Sequence, residues 1–215
     1  MPESWVKIER VLVSVSDKSG LDVLLPGLLE INPALVCYAT GGTYRHIAAM
    51  LGAERAARVL RQVAEYTGQP EMHGGLVKTL DFKLYVGLLA ETHNPAHQAD
   101  LARVGAVLLD MVVANLYPFA ETVARPGATV EDARAHIDIG GPAMLRAAAK
   151  NYPRVAAVVD PADYPNLLAR LRAHNGALDL PTRFEYARKA FAHTAAYDAA
   201  ISAYLAKQVP ANVAD

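Results

Sequence analysis

One cysteine in 215 residues, Cys37, excludes an internal disulfide and suits a reducing compartment. It sits inside the apolar run ALVCYAT and reads as core filler. Long hydrophobic runs are lacking too. None approaches the roughly 20 residues of a membrane span, and the opening MPESWVKIER has charges but no apolar core of signal-peptide length. The expectation is a soluble cytoplasmic protein with no membrane partner. An excess of either charge is missing, since 21 Lys+Arg stand against 22 Asp+Glu for a net charge of −1. No global basic field therefore argues for nucleic acid or an anionic membrane. The seven histidines are scattered, with no H-E-x-x-H or C-x-x-C, so no metal site is expected. The absence of G-x-G-x-x-G and Walker A loops disfavours a dinucleotide or nucleoside triphosphate. Fixed-period repeats and low-complexity tracts are absent as well.

What is present is a hydrophobic fraction of 53% with 20% charged residues, ample for one buried core. RVLVSVS (10–16), ALVCYAT (34–40), LDMVVANLYPF (109–119) and VAAVVD (155–160) read as buried strands. GLDVLLPGLLEI (20–31) reads as a helix kinked at Pro26, YRHIAAML as another, and TVEDARAHI (129–137) as a helix capped by Thr129. A further helix starts at Pro161, and residues 65–80 read as a long irregular loop. Residues 182–208 read as one long amphipathic helix or two short ones. Alternation of strands and helices predicts an α/β fold, a mostly parallel sheet covered by helices on both faces. No stretch has linker composition. The expectation is one domain over 1–215, with a C-terminal helical extension at about 180–208.

Ligands in such sheets bind beyond the carboxyl ends of the strands. The tip SVSDKSG offers the Ser14 and Ser16 hydroxyls and the Lys18 ammonium. The tip TGGT offers Thr40, Gly41, Gly42 and Thr43 at a helix start. Each alone is an ordinary cap or turn. Together they suit a monophosphate, because exposed N–H groups and the helix dipole favour an anion. Lys78 follows a glycine-containing loop, and NLYPF puts Asn115 and Tyr117 just past a strand. IDIGGPAMLRAAAKN (137–151) sets Asp138 before Gly140, Gly141 and Pro142, with Pro142 expected at the first helical position. Asp138 reads either as a helix cap or as a carboxylate held near a ligand that the glycines let approach. Lys150 lies eight residues past Pro142, roughly 12 Å along a straight helix. It joins the same site only if that helix is short, bent or packed back. His193, among helical apolar residues, reads as a packed histidine rather than a catalyst.

Six blocks carry a resemblance over nearly the whole chain: SVSDKSG, TGGT, YTGQPEM-GG-VKTL, MVVANLYPF-TVA, IDIGGPAMLRAAAKN and KAFAHTAAYDAAI. In order, spacing and length they resemble the N-terminal inosine monophosphate (IMP) cyclohydrolase domain of the bifunctional purine-biosynthesis family, in which that domain is joined to a formyltransferase. The resemblance implies a methylglyoxal-synthase-like fold, a homodimer, and no cofactor or metal. It implies closure of the purine ring of 5-formamidoimidazole-4-carboxamide ribonucleotide to IMP, with loss of water. The family's catalytic group falls on Lys78, Tyr117, Asp138 and Lys150. Its substrate-binding positions fall on Ser14, Ser16, Lys18, Thr40, Gly41, Gly42, Thr43, Thr79, Asn115, Gly140 and Gly141.

The sequence also departs from the family. Leu76 stands where the family usually has Arg, Asp81-Phe82 replaces His-Pro, and Tyr85-Val86-Gly87 replaces a His-Gly-Gly-like stretch. A lost cation and an added carboxylate beside a phosphate loop are expected to weaken anion binding. The family's formyltransferase domain is absent from these residues, which leaves a truncated chain or a stand-alone form. Two alternatives to the cyclohydrolase stay open: an enzyme closing a related ring in a specialised nucleoside pathway, and a non-catalytic module that binds a phosphorylated metabolite.

Overall fold

A computed structural model describes residues 3–70 and 78–209. The strands are β1 (Trp5–Lys7), β2 (Arg10–Val15), β3 (Val36–Ala39), β4 (Leu60–Gln62), β5 (Met111–Asn115), β6 (Ala156–Val158) and β7 (Ala177–Asp179). The helices of the first half are α1 (Leu21–Ile31), α2 (Gly41–Leu51), α3 (Ala53–Val59), α4 (Val63–Thr67), α5 (Phe82–Leu89) and α6 (Pro95–Val104). Those of the second half are α7 (Phe119–Val123), α8 (Val130–Ala135), α9 (Gly140–Lys150), α10 (Tyr164–Ala173) and α11 (Leu180–Leu205). Among the described residues, no helix is long and apolar enough to cross a membrane.

β2 to β6 form one parallel sheet in the order β4-β3-β2-β5-β6. The chain builds outward from β2 through β3 to β4, then returns to the other side of β2 for β5 and β6. The strand order therefore reverses between β2 and β5, where a crevice opens beyond the strand ends. Side chains alternate across this sheet. Val11, Val13, Met111, Val113, Ala156 and Val158 face the layer containing α1 and α10. Leu12, Val112, Ala114 and Ala157 face the layer containing α5, α9 and α11. Burial on both faces is what makes these strands read as near-continuous apolar runs. Cys37 is fully buried on β3, where desolvation pushes its thiol up to about 12.

The amino ends of the strands are tied by a buried ion pair. Arg154 Nη1 lies 3.3 Å from Asp110 Oδ1, and Asp110 Oδ2 accepts from the amides of Glu9 and Arg10. The guanidinium also donates to the carbonyls of Ala90 and Gly87. One carboxylate thus anchors the entries of both β2 and β5, leaving their carboxyl ends for function.

Several boundaries differ from the sequence reading. The 109–119 strand contracts to Met111–Asn115, and Phe119 opens α7. The 155–160 strand contracts to Ala156–Val158. β4, and the antiparallel pair β1–β7, have no counterpart in the reading, because three-residue strands owe their form to distant partners. The irregular loop at 65–80 begins with the end of α4, and residues 71–77 lie outside the described residues. Leu76 is among those seven. The 182–208 segment is one helix, Leu180–Leu205, capped by Asp179 through the Thr182 amide. Thr129 does cap α8, in a reciprocal capping box with Asp132.

Asp81 and Gly87 acquire local reasons. Asp81 Oδ1 accepts the Lys83 amide at 2.8 Å and caps α5. A Cβ at Gly87 would collide with the Val107 carbonyl. The Asp81 carboxylate serves a helix start and is not among the residues that line the cavity described next.

Candidate active site

A cavity of about 330 Å³ opens at the carboxyl ends of β2, β3 and β5, beside the reversal of strand order. Its walls include Ser14, Ser16, Lys18, Thr40, Gly42, Thr43, Lys78, Thr79, Asn115, Tyr117, Asp138, Gly140 and Gly141. These residues come from segments spread over more than half the chain. Two positions assigned by the resemblance are not in the wall. Gly41 is buried in the first turn of α2. Lys150 is exposed at the last residue of α9, an 11-residue helix whose first residues line the cavity. At ~1.5 Å per residue the two ends of α9 are about 15 Å apart. Within one chain, helix length sets Lys150 apart from the other three candidates.

One side of the cavity is rich in hydroxyls and amides. Ser14 Oγ and Thr40 Oγ1 share a hydrogen bond of 3.0 Å, which aligns the ends of β2 and β3. Thr40 makes no side-chain cap on α2, and Thr40, Gly42 and Thr43 line the cavity at the helix start. Thr43 is committed to structure: its hydroxyl accepts from the Val15 amide and donates to the Val15 carbonyl, each at 3.2 Å. Asn115 is similarly engaged. Its Oδ1 accepts the Ser16 and Asp17 amides at 2.7 and 2.9 Å, and its Nδ2 donates to the Asp17 carbonyl at 2.7 Å. Asn115 therefore shapes the loop that presents Ser16 and Lys18. The Lys18 ammonium donates to the Ser16 carbonyl at 3.2 Å, folded over that loop.

The other side carries the titratable groups Lys78, Tyr117 and Asp138. Lys78 Nζ donates to Tyr117 Oη at 3.0 Å and lies 5.6 Å from the centre of its ring. With its oxygen accepting from an ammonium, the Tyr117 phenol becomes a stronger donor through its own O–H. Asp138 is half-buried. Burial raises its carboxyl above the ordinary carboxylate value, against the downward pull of the Gly141 amide, the Lys78 charge, and the Tyr117 and Gly140 amides. Such a carboxylate is more basic than one in water.

The Gly-Gly-Pro stretch differs from its reading. α9 starts at Gly140, so Pro142 is its third residue rather than its first. Pro142 still costs nothing there, because the first amides of a helix have no internal partner. Asp138 Oδ1 accepts the Gly141 amide at 2.9 Å. The glycines answer to crowding from within. A Cβ on Gly140 would strike Thr79 Oγ1, and one on Gly141 would sit 2.6 Å from both Asp138 Oδ2 and Leu116. Gly42 has open space in the same test.

Leu80, His136, Ile137 and Ile139 also line the cavity and were missed by the sequence reading. Their only local signal was adjacency to Thr79 and Asp138. His136 Nδ1 donates to the Asp132 carbonyl at 2.8 Å, which leaves Nε2 as an acceptor. His193 lies away from this wall; its Nε2 is buried without a partner, and burial holds its pKa below the ordinary value.

A parallel sheet with this strand order and a polar cavity at its reversal defines an α/β fold with a ligand-sized crevice at the switch point. The chain belongs to the MGS-like domain family, whose model matches residues 34–143. A second model, described as AICARFT/IMPCHase bienzyme, matches residues 148–214. The chain is 50% identical over 199 residues to the bifunctional purine biosynthesis protein PurH of Magnetococcus marinus, covering 93% of this chain and 36% of that protein. It is 42% identical over 204 residues to PurH of Leptospira biflexa, covering 95% of this chain and 38% of that one. The chain thus spans little more than a third of the length of these curated relatives. A solved structure titled as the crystal structure of ForH matches with a TM-score of 0.74 at 33% identity, over 91% of this chain and 97% of that one.

Proposed function

We propose that this protein is an IMP cyclohydrolase that closes the ring of 5-formamidoimidazole-4-carboxamide ribonucleotide. The observation that carries the reading is the convergence of a Lys78–Tyr117 donor pair and a carboxyl of raised pKa, Asp138, in one cavity with a hydroxyl- and amide-rich side. The similarity to PurH proteins supports it.

In this reading the 5′-phosphate lies against the Ser14, Ser16, Lys18 and Thr40 side and the start of α2, where amides and an ammonium meet a dianion. The imidazole then extends toward Lys78, Tyr117 and Asp138. The carboxamide nitrogen attacks the formyl carbon of the same molecule, forming the C–N bond. Asp138 takes a proton from that nitrogen as it becomes bonded. Negative charge growing on the former formyl oxygen is met by the Lys78–Tyr117 pair. The oxygen leaves as water, carrying in balance one proton from the carboxamide and one from the formamido nitrogen. Both reacting groups belong to one ligand, so holding them in a near-attack geometry supplies much of the acceleration. No redox or group-transfer partner is required. The reading includes a homodimer in the reducing cytoplasm, which a single buried cysteine suits.

The test is a ring-closure assay of the purified chain with the formamido ribonucleotide, followed by absorbance as the purine forms. Turnover that saturates with substrate is expected. Binding of IMP without any ring closure would overturn the enzymatic reading in favour of a phospho-metabolite-binding module.

A further inference from the structure

We infer that Tyr197, on the C-terminal helix, is a positioning residue that holds Asp138 in register for proton transfer. The inference rests on the reading of Asp138 as the proton acceptor and goes beyond it by naming what fixes that carboxylate in place.

The Tyr197 hydroxyl serves the turn 136–138 in both directions. It accepts the Asp138 amide at 2.8 Å and donates to the His136 carbonyl at 2.9 Å. A single oxygen therefore closes this turn across 59 residues of sequence. The phenol is itself held. It is 9% exposed, and its ring meets Phe119 edge-on with centroids 6.2 Å apart. Phe119 also packs edge-on against Tyr204, about two helical turns further along α11.

The Asp138 residue is consequently gripped from two sides. Its backbone amide is bound by Tyr197, and its carboxylate by the Gly141 amide at 2.9 Å. With both ends fixed, the second carboxylate oxygen can hold one direction in the cavity. Without the phenol, a half-buried amide and carbonyl lose their partner, and the turn must rotate toward water to satisfy them. The groups facing Asp138 are Lys78 and Tyr117 in the cavity wall, His136 on its own turn and Tyr197 on α11, and the exposed Asp198 acts on Tyr197.

Tyr204 offers an internal control. It lies on the same helix and donates one hydrogen bond, at 3.3 Å, to the Thr129 carbonyl at the start of α8. It has the same chemistry and the same source helix, but its hydroxyl bonds to Thr129 and not to the 136–138 turn.

The test is Tyr197→Phe in the full chain, which keeps the ring and removes one oxygen. The expected result is a fall in kcat of roughly 10- to 100-fold, the scale of a small misplacement of a catalytic group. KM should change little, and the acid limb of the kcat profile should move down as the carboxyl gains water. Tyr204→Phe should change neither. In an Asp138→Asn background, Tyr197→Phe should cost nothing further, because the residue acts through Asp138. A Tyr197→Phe protein with wild-type kcat and pH profile would overturn the inference, as would an equal fold-loss in the two backgrounds.

A carbon-13 NMR titration of Asp138 in the ligand-free protein reads the same coupling without substrate. A wild-type chain with no ring closure defeats the proposed function. The titration then decides the positioning role alone: a midpoint lowered by Tyr197→Phe supports it, and an unmoved midpoint overturns it. If the variant does not fold, exchange of the Asp138 amide in the wild-type protein decides instead. Protection from exchange supports the bridge, and exchange at the rate of an open loop overturns it.

Discussion

Replacing Asp138 with Asn separates chemistry from capping. The Asn side chain keeps an oxygen where Asp138 Oδ1 accepts the Gly141 amide at 2.9 Å. That hydrogen bond survives without charge assistance, so the stability change should stay within about 1 kcal/mol. Protonation adds a direction. Burial raises the folded-state pKa of Asp138, so between the ordinary carboxylate value and the raised one the native state binds more protons than the unfolded state. Wild-type stability therefore has a contribution that is full below the ordinary value and is lost as pH rises through the raised one. Asn never carries that charge. At neutral pH it should melt at or above the wild type, and the difference should vanish in acid. Asp138→Ala is the contrast: it leaves the Gly141 amide unpaired, costing about 1–2 kcal/mol, or roughly 2–8 °C in Tm for a chain of this size. Turnover should behave in the opposite way. Losing a positioned base costs ~10²- to 10⁴-fold, which is about 3–5 kcal/mol of barrier, in both variants alike. In the wild type, kcat should fall on acidification at a pH above the usual carboxylate range. Thermal melts from acid to neutral pH and the absorbance assay of ring closure read both quantities. An Asn variant with near-wild-type turnover would refute the catalytic role and leave Asp138 as a helix-start residue.

Other substitutions test the geometry around that carboxylate. Lys18→Ala should weaken IMP binding by calorimetry about tenfold, on the scale of one charge-assisted contact, with a smaller effect on kcat; unchanged affinity would move the phosphate elsewhere. Gly141→Ala should lower stability and cut kcat more than tenfold, because its Cβ would sit 2.6 Å from Asp138 Oδ2, whereas Gly42→Ala meets no protein atom within 4 Å and should gain about 0.5–1 kcal/mol in stability. Equal effects of the two glycine substitutions in the same assay would contradict the close packing. Lys150→Met should keep kcat within about threefold, because Lys150 is exposed at the far end of α9; a loss as large as that of Asp138→Asn would bring it back to the proton-transfer step.

The central strands were legible because burial on both faces selects uninterrupted apolar runs, as in RVLVSV and MVVAN. The strand tips were legible for a related reason, since chemistry clusters where such runs stop. LRQ of β4 and the short β1–β7 pair were not legible, because three-residue strands have no period of their own. The proline rule placed the start of α9 at Pro142, but the reach of Asp138 to the Gly141 amide lets the helix begin at the glycines. Asp81 suggested a perturbed anion site from its neighbourhood to Lys78, while the apolar periodicity of FKLYVGLL after it makes it an ordinary helix cap. Asn115 and Thr43 had the right chemistry for a ligand, and the structure spends that chemistry on holding the loop and the strand end. Tyr197 left no local trace at all, because a hydrogen bond across 59 residues imposes no spacing on its neighbours.

That separation also has a consequence in time. The sheet strands β2 to β5 and the glycine turn are complete once Gly141 has been made, yet the phenol that closes the 136–138 turn arrives only with residue 197. At about 5–20 residues per second, the 59 residues from Asp138 on to Tyr197 take roughly 3–12 seconds to synthesise. Until then the turn lacks its clamp, and α9 and β6 lack the helix that packs against them. One element, α11, therefore supplies both the last packing surface of that layer and the hydroxyl that closes the turn.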